Sequence, residues 1–293
     1  MWVVFAVLSS LCDAFCGLGK QSLKLSPKAF ILYRGYIPAI LALPFLFIIP
    51  MPKYWQFYAL CILQGSVIAY HDFIHFKAIK KYGAEVVSSI MPLSTGLLFV
   101  LWLVIVPETM SEYWADKKLF IMISLSLLGI IFSVYKYNQH KACCRALKYM
   151  WSVLLASLMI NIVNKITTKY GAVNVFATGI AYSFMTSLVV AIINTFTIKG
   201  SYKKLKRAYK QCNWKIVILF VLLLFSVITK NMAMSFAANP AYVAAIIYLS
   251  ILWTIIGNYI IINFKLGNKY PQTKWRYVAL LVISSAALIL LTN

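Results

Sequence analysis

Apolar residues recur along this chain in runs of about 17 to 25, each closed by basic or turn-forming residues. A helix of that length crosses a hydrocarbon core. The pattern predicts ten membrane-spanning helices, over 1–19, 28–49, 55–76, 84–106, 118–136, 147–164, 172–198, 215–237, 240–262 and 275–292. The longer polar connections are 107–117, 137–146, 199–214 and 263–274, and no low-complexity linker or tail stands between them. The expected fold class is an all-α integral membrane protein.

One stretch recurs. Residues 78–108 (AIKKYGAEVVSSIMPLSTGLLFVLWLVIVPE) hold a basic turn, a helix of small and β-branched residues broken by Pro92, and a closing Glu108. About 156 positions later, 243–248 (VAAIIY) falls where 87–92 (VSSIMP) stood, and Asn239-Pro240 replaces Gly83-Ala84. A second echo joins 20–24 (KQSLK) at the end of helix one to 165–169 (KITTK) at the end of helix six. Five helices separate its two members, which places them on opposite membrane faces. The chain therefore reads as two inverted five-helix repeats, 1–146 and 147–293, sharing one domain. That architecture is typical of secondary transporters.

Composition sharpens this picture. The chain is 62% hydrophobic and 12% charged, against about one-quarter charged for a soluble protein, so there is almost no room for a soluble domain. The net charge of +22 raises the question of nucleic acid. The distribution answers it: 22 of the 28 basic residues lie in alternate connections on one side, five on the other, and Lys230 lies inside helix eight. That is the positive-inside signature. It puts the basic loops in the cytoplasm and both termini outside an inner or plasma membrane, and it leaves no nucleic-acid partner. The densest run, Lys199 to Lys215, suits anionic lipid headgroups, so membrane lipids are an expected partner. Met1 opens an apolar run with no basic n-region, read as the first span and not a removable signal. The six cysteines have neither zinc nor disulfide spacing and read as reduced thiols; Cys143-Cys144 is the one pair suited to lipidation.

Helix one followed by Gly19-Lys20, then Ser26-Pro27, then Arg34 inside helix two, resembles the opening of the drug/metabolite transporter superfamily, in its EamA-type ten-helix branch. Ala78, Tyr82-Gly83-Ala84, Pro92 and Glu108 resemble the third-to-fourth helix signature of that branch. The second half, from Ala233 to Ile262, keeps the helix pattern but has Tyr248 where proline is usual and no acid near Phe264-Lys265. The resemblance covers nearly the whole chain and implies transport within a two-repeat helical bundle. It also implies cytoplasmic termini, whereas the charge distribution implies the reverse.

Asp13, Asp72 and Lys230 lie inside apolar runs. A charge at a helix centre costs about 2.5–3.5 kcal/mol, so each needs a partner, an interface or a water-filled cavity. Asp is too short to snorkel far, which points Asp13 to a cavity wall. Lys230 suits either reading, and Asp72 sits about four residues from the expected helix end. His71 and His75, at i and i+4, flank Asp72 in a pattern superficially like HExxH. With Asp for Glu and no third ligand, a zinc enzyme is not expected, nor any metal or cofactor; a proton relay through His71 and Asp72 suits the residues better, beside the bland reading of interfacial histidines. Arg34 needs an acid or a substrate anion. Lys20 and Lys165, at repeat-related positions, suit either anion binding or interfacial anchoring. Asn231 brings an amide, and Tyr248 an aromatic wall, to a polar solute, or else to helix packing.

The expectation is a secondary-active transporter of a small polar metabolite (amino acid, nucleotide-like or related solute) working by alternating access, with proton coupling through Asp13 or the His71–Asp72 pair. It is not an enzyme, it carries no nucleotide-binding motif, and it acts as a monomer or homodimer. A lipid or lipid-linked headgroup flippase and a non-transporting structural membrane protein remain the alternatives. The topology is directly checkable: Ser201→Cys in a cysteine-free background should react with an impermeant maleimide only after the cells are permeabilised, whereas reaction in intact cells would reverse the orientation.

Overall fold

The structure, a computed structural model, describes residues 1–22, 27–82, 87, 90–137, 144–172, 174–198, 200, 214–265 and 274–292. Twelve α-helices are seen among them: α1 (Trp2–Ser22), α2 (Pro27–Ala42), α3 (Trp55–Tyr82), α4 (Leu93–Ile105), α5 (Pro107–Ala115), α6 (Lys117–Tyr137), α7 (Cys144–Thr168), α8 (Val175–Thr197), α9 (Trp214–Phe236), α10 (Pro240–Ile247), α11 (Ser250–Lys265) and α12 (Trp275–Thr292). A 3-10 turn, Leu43–Phe47, extends α2. Nine spans among the described residues are long and apolar enough to cross a membrane, or up to ten if α4 and α5 form one bent span. Apolar side chains such as Val104, Leu125, Phe196 and Leu290 stand exposed along these helices. Lipid is the solvent for which such a surface is built. The chain is an all-α, multi-pass membrane protein.

Polar caps mark where several helices start. The Asn174 side chain accepts from the Phe176 amide to open α8, and Asn239 accepts from the Ala241 amide to open α10, with Pro240 in the first turn. The Asp116 carboxylate accepts from the Leu119 amide at the start of α6. Each satisfies an amide that a helix end leaves unpaired.

Several expected elements take a different form. Helix three does not stop at 76; α3 runs to Tyr82. Lys77 and Lys81 read as turn residues in the sequence, yet their ammonium groups lie over the rings of Phe73 at 4.1 Å and of Tyr82 and Tyr149 at 5.1 Å. Aromatic faces thus let the helix carry its lysines. Asp72 consequently sits ten residues inside α3, not about four from an end. Residues 107–115, expected as loop, form α5, bent 102° from α4. The expected ninth helix is interrupted at Tyr248-Leu249, between α10 and α11. The fourth is likewise interrupted at Met91-Pro92, ahead of α4. The rest of its N-terminal part (residues 83–86, 88 and 89) lies outside the described residues.

The helices pair in a regular way. α1 packs on α9 and also on α10 and α11, while α7 packs on α3 and also on α4. α2 lies along α8, α6 along α12, and α4 along α10. α9 touches α2, and α3 touches α8. Small residues bring the backbones close. At Gly35 of α2 an added Cβ would stand 2.5 Å from the backbone of Ala191 on α8. At Gly65 of α3 it would stand 2.6 Å from Val189 on the same helix. α8 is therefore gripped from two sides. The largest buried cluster joins Trp2 and Ala6 of α1, Leu98 of α4, Ile130 of α6, Met234 of α9, Ile246 of α10 and Leu288 of α12.

Gly35→Val is expected to force α2 from α8 and to cost about 1–3 kcal/mol, the usual range for overpacking. Gly17, where an added Cβ meets nothing within 4 Å, supplies the control. Thermal unfolding in detergent should place Gly35→Val well below wild type and Gly17→Ala close to it.

Candidate functional site

α2 and α3 touch each other little; each rests on α8. Across the gap between them the Arg34 Nη1 lies 2.7 Å from both Asp72 oxygens and donates to Oδ1. Asp72 is almost fully buried, with 2% of its side chain exposed, whereas Arg34 keeps 28%. Arg34 is thus the partner that faces outward. It helps to line a small cleft, about 30 Å³ in volume, between Pro38 of α2, Ile68 of α3, Thr186 and Val190 of α8, and Leu224 and Val227 of α9. His71 Nδ1 stands 3.3 Å from the same Asp72 oxygen, and the His71 and His75 rings stack with centroids 5.3 Å apart. The i, i+4 spacing therefore yields a stacked pair beside a carboxylate. His71 Nε2 is buried with no hydrogen-bond partner.

A second polar cluster lies where α1 meets α9. Ser226 Oγ donates to Asp13 Oδ1 at 2.6 Å, and the Ser9 hydroxyl donates to the Ser226 carbonyl at 3.1 Å. One turn further along α9, Lys230 is partly buried, within electrostatic reach of Asp13 and of Arg34. No hydrogen bond or ion pair to Lys230 occurs among the described residues. On the adjacent face of α9, Asn231 Nδ2 donates to Asn164 Oδ1 of α7 at 2.7 Å, leaving Asn231 Oδ1 buried without a partner. Gln64 of α3 donates to the Ile160 carbonyl of α7 at 2.9 Å, and its Oε1 is likewise unpartnered. Buried orphans of this kind are uncommon and call for a ligand, water or ion.

The remaining candidates divide. Lys165 Nζ donates at 2.6 Å to the carbonyls of both Met234 and Ala237, which stand at the C-terminal end of α9. This ammonium is engaged in capping a helix, a role the sequence did not suggest. The Tyr248 hydroxyl meets Ser94 and Thr95 in the first turn of α4. The break in one span therefore touches the break in the other. Lys20 belongs to α1, but its side chain lies outside the described residues. So do Glu85, Cys143 and most of the basic run from Lys199 to Lys215. The structure thus gathers Asp13, Arg34, His71, Asp72 and Lys230 toward one region and sets Lys165 and Tyr248 apart as helix-end contacts. Ser9, Ser226 and Gln64 were not singled out from sequence. Gln64 carried a readable signal, an amide in the middle of an apolar run.

No protein-family model matches this chain, and a comparison with curated proteins finds no match.

Removing one member of a buried ion pair costs about 3–5 kcal/mol, because the other is left charged and unanswered. Arg34→Gln and Asp72→Asn should each lower stability on that scale, and the double variant should cost clearly less than the two together. A double-mutant cycle read by thermal unfolding checks it; strict additivity would mean the pair is not coupled.

Proposed function

We propose that this chain is a secondary-active transporter of a small polar metabolite, working by alternating access. The observation that carries the reading is the set of ionisable side chains inside the helix bundle: Asp13, Arg34 and Asp72 come from α1, α2 and α3, and Lys230 from α9, with Arg34 on the wall of a cleft. Ionisable groups held inside a membrane protein mark substrate or ion pathways, because their cost must be met by a function.

The helix pairing supports the finer architecture. Exchange α1 with α7, α2 with α8, α3 with α9, α4 with α10–α11, and α6 with α12. The contacts then map onto one another: α1 on α9 becomes α7 on α3, and α2 on α9 becomes α8 on α3. The pairs α2–α8, α6–α12 and α4–α10 map onto themselves. Both members of the exchanged pair α4 and α10–α11 are interrupted, at Met91-Pro92 and at Tyr248-Leu249, close to the offset that relates VSSIMP to VAAIIY. These features favour two inverted five-helix repeats, 1–146 and 147–293. They also suit the proposed place in the drug/metabolite transporter superfamily, EamA type. Broken helices meeting between repeats are a recurring feature of transporters that rock about a central site. Orientation with the basic loops cytoplasmic belongs to the same proposal.

A flippase is the second reading. An apolar pocket between α4, α5 and α6, lined by Leu103, Tyr113, Trp114 and Phe120 with Lys117 among them, is what favours it.

Reconstituted liposomes test the proposal. Preloaded vesicles are offered labelled amino acids, nucleotides, sugar phosphates and S-adenosylmethionine in counterflow. One solute class is expected to enter faster than into protein-free vesicles. Imposing a pH gradient should then drive net accumulation. Either Asp13→Asn or His71→Gln should abolish that accumulation while sparing counterflow, and the variant that does so identifies the coupling group. No solute entering, together with movement of a labelled phospholipid, would replace the transporter with the flippase.

A further inference from the structure

We propose that the pocket between α4, α5 and α6 holds a resident zwitterionic phospholipid, with an acyl chain in the pocket and its phosphate on Lys117. This goes beyond the transporter reading and does not rest on it. The pocket has a volume of about 230 Å³. Its walls are Leu103 of α4, Met110 and Trp114 of α5, and Phe120 and Ile121 of α6, and Lys117 is the charged member of its lining. An apolar cavity of about 150 Å³ already stays dry and takes up a molecule the size of benzene. A larger one, walled in the same way, calls for an apolar occupant. The space is built into the fold. Tyr113, which also lines it, is buried, and its ring packs on Phe99 at 6.1 Å and on Phe120 at 5.7 Å. Its hydroxyl bonds to that of Tyr242 on α10. These contacts fix α5 against α4, α6 and α10.

Position identifies the occupant as a lipid. α5 leaves α4 at 102°, so it crosses the end of a span and does not prolong it. Glu108 and Ser111 of α5 are exposed while Tyr113 is buried, the division of polar and apolar sides that suits a helix lying in the interface. Trp114 and Lys117 are residue types that favour the headgroup level, and the Lys117 ammonium stands 5.9 Å from the Trp114 ring. The apolar space therefore opens beside the headgroup layer, where acyl chains are the abundant apolar molecules. Charge then selects the headgroup. Lys117 makes no ion pair among the described residues, and Lys118 beside it is exposed. A lipid phosphate answers a cation placed at this depth. Yet residues 108–116 hold three of the chain's six acids, Glu108, Glu112 and Asp116. A lipid of net negative charge would be repelled by that segment. A zwitterionic headgroup brings its phosphate to Lys117 and an ammonium to the acids, so both signs are met by one molecule.

The test uses the purified full chain in mild detergent, stripped of lipid and then given palmitoyl-oleoyl phosphatidylethanolamine, phosphatidylcholine or phosphatidylglycerol. Native mass spectrometry counts the lipids retained, and thermal shift follows the same titrations. Wild type should retain one zwitterionic lipid per chain and bind it ~10-fold or more tightly than phosphatidylglycerol with the same acyl chains. Lys117→Gln should weaken that lipid ~10- to 100-fold, the range for losing one charged hydrogen bond, and Lys117→Arg should restore most of it. Ile121→Trp, which fills the pocket from an exposed position, should abolish retention, whereas Phe196→Ala, on the exposed surface of α8, should retain the lipid as wild type does. If a pocket variant fails to fold, the headgroup comparison in wild type still decides. Equal retention of all three lipids would overturn the site, as would unchanged retention in both Lys117→Gln and Ile121→Trp. Tighter binding of phosphatidylglycerol would rule out the zwitterionic headgroup. A lipid-free dimer that Ile121→Trp dissociates would assign the pocket to a second copy of the chain and sink the lipid.

Discussion

A charge in hydrocarbon has to be answered, and the Arg34–Asp72 pair is where this structure answers most directly. α2 and α3 share little surface, since both lean on α8, with Gly35 and Gly65 letting their backbones close on Ala191 and Val189. The ion pair is thus the principal direct link across the mouth between them. A link made of charge differs from one made of apolar packing. It leaves room beside it, and the cleft at Arg34, Pro38 and Ile68 is that room. It also fixes which partner faces outward. The short aspartate is held inside α3 beside His71, and the long arginine reaches across and keeps part of its surface free.

The same rule governs the backbone. In a bilayer every amide and carbonyl needs a partner within the protein. A span broken midway exposes several of both. Around α10 and α11 these are met one by one: the Asn239 side chain takes the Ala241 amide, and the Tyr248 and Leu249 amides turn back to Ala245 and Ile246. The end of α9, just ahead of this break, gives its carbonyls to Lys165. Trp102 of α4 donates to the Ala238 carbonyl at 3.1 Å and so ties the opposite broken span to the same place. Lys165 therefore serves the fold at the position where its charge had suggested a substrate.

Much of the architecture was legible because it is one-dimensional information. Apolar run length gave the spans, and Pro92 marked the interruption of the fourth, whereas the interruption at Tyr248-Leu249, which holds no proline, was not expected. Intramembrane charge drew attention to Asp13, Arg34, Asp72 and Lys230, of which Arg34 and Asp72 pair directly. What sequence could not supply was partnership. Nothing local pairs Arg34 with Asp72, which are 38 positions apart, or Asp13 with Ser226, which are 213 apart. The lysines of 77–81 misplaced the end of α3 because a basic cluster signals an interface only when no aromatic face is at hand to receive it. Residues 107–115 look polar enough for a loop, yet Met110, Tyr113 and Trp114 share one side of a short helix, and that side is where the apolar pocket lies.

The two acids inside the bundle end in different states, and that difference is the structural basis for giving them different roles. Asp72 is ion-paired: a guanidinium stands 2.7 Å from both oxygens and an imidazole near Oδ1, although Oδ2 is buried and accepts no hydrogen bond among the described residues. Moving it means breaking a contact that spans two helices, so its charge belongs to the frame. Asp13 is held by a single hydroxyl. A hydroxyl positions a carboxylate without neutralising it, and it leaves the second oxygen available for an exchangeable partner. Lys230 mirrors this condition on the facing helix, positioned by the α1–α9 packing and not consumed by an ion pair.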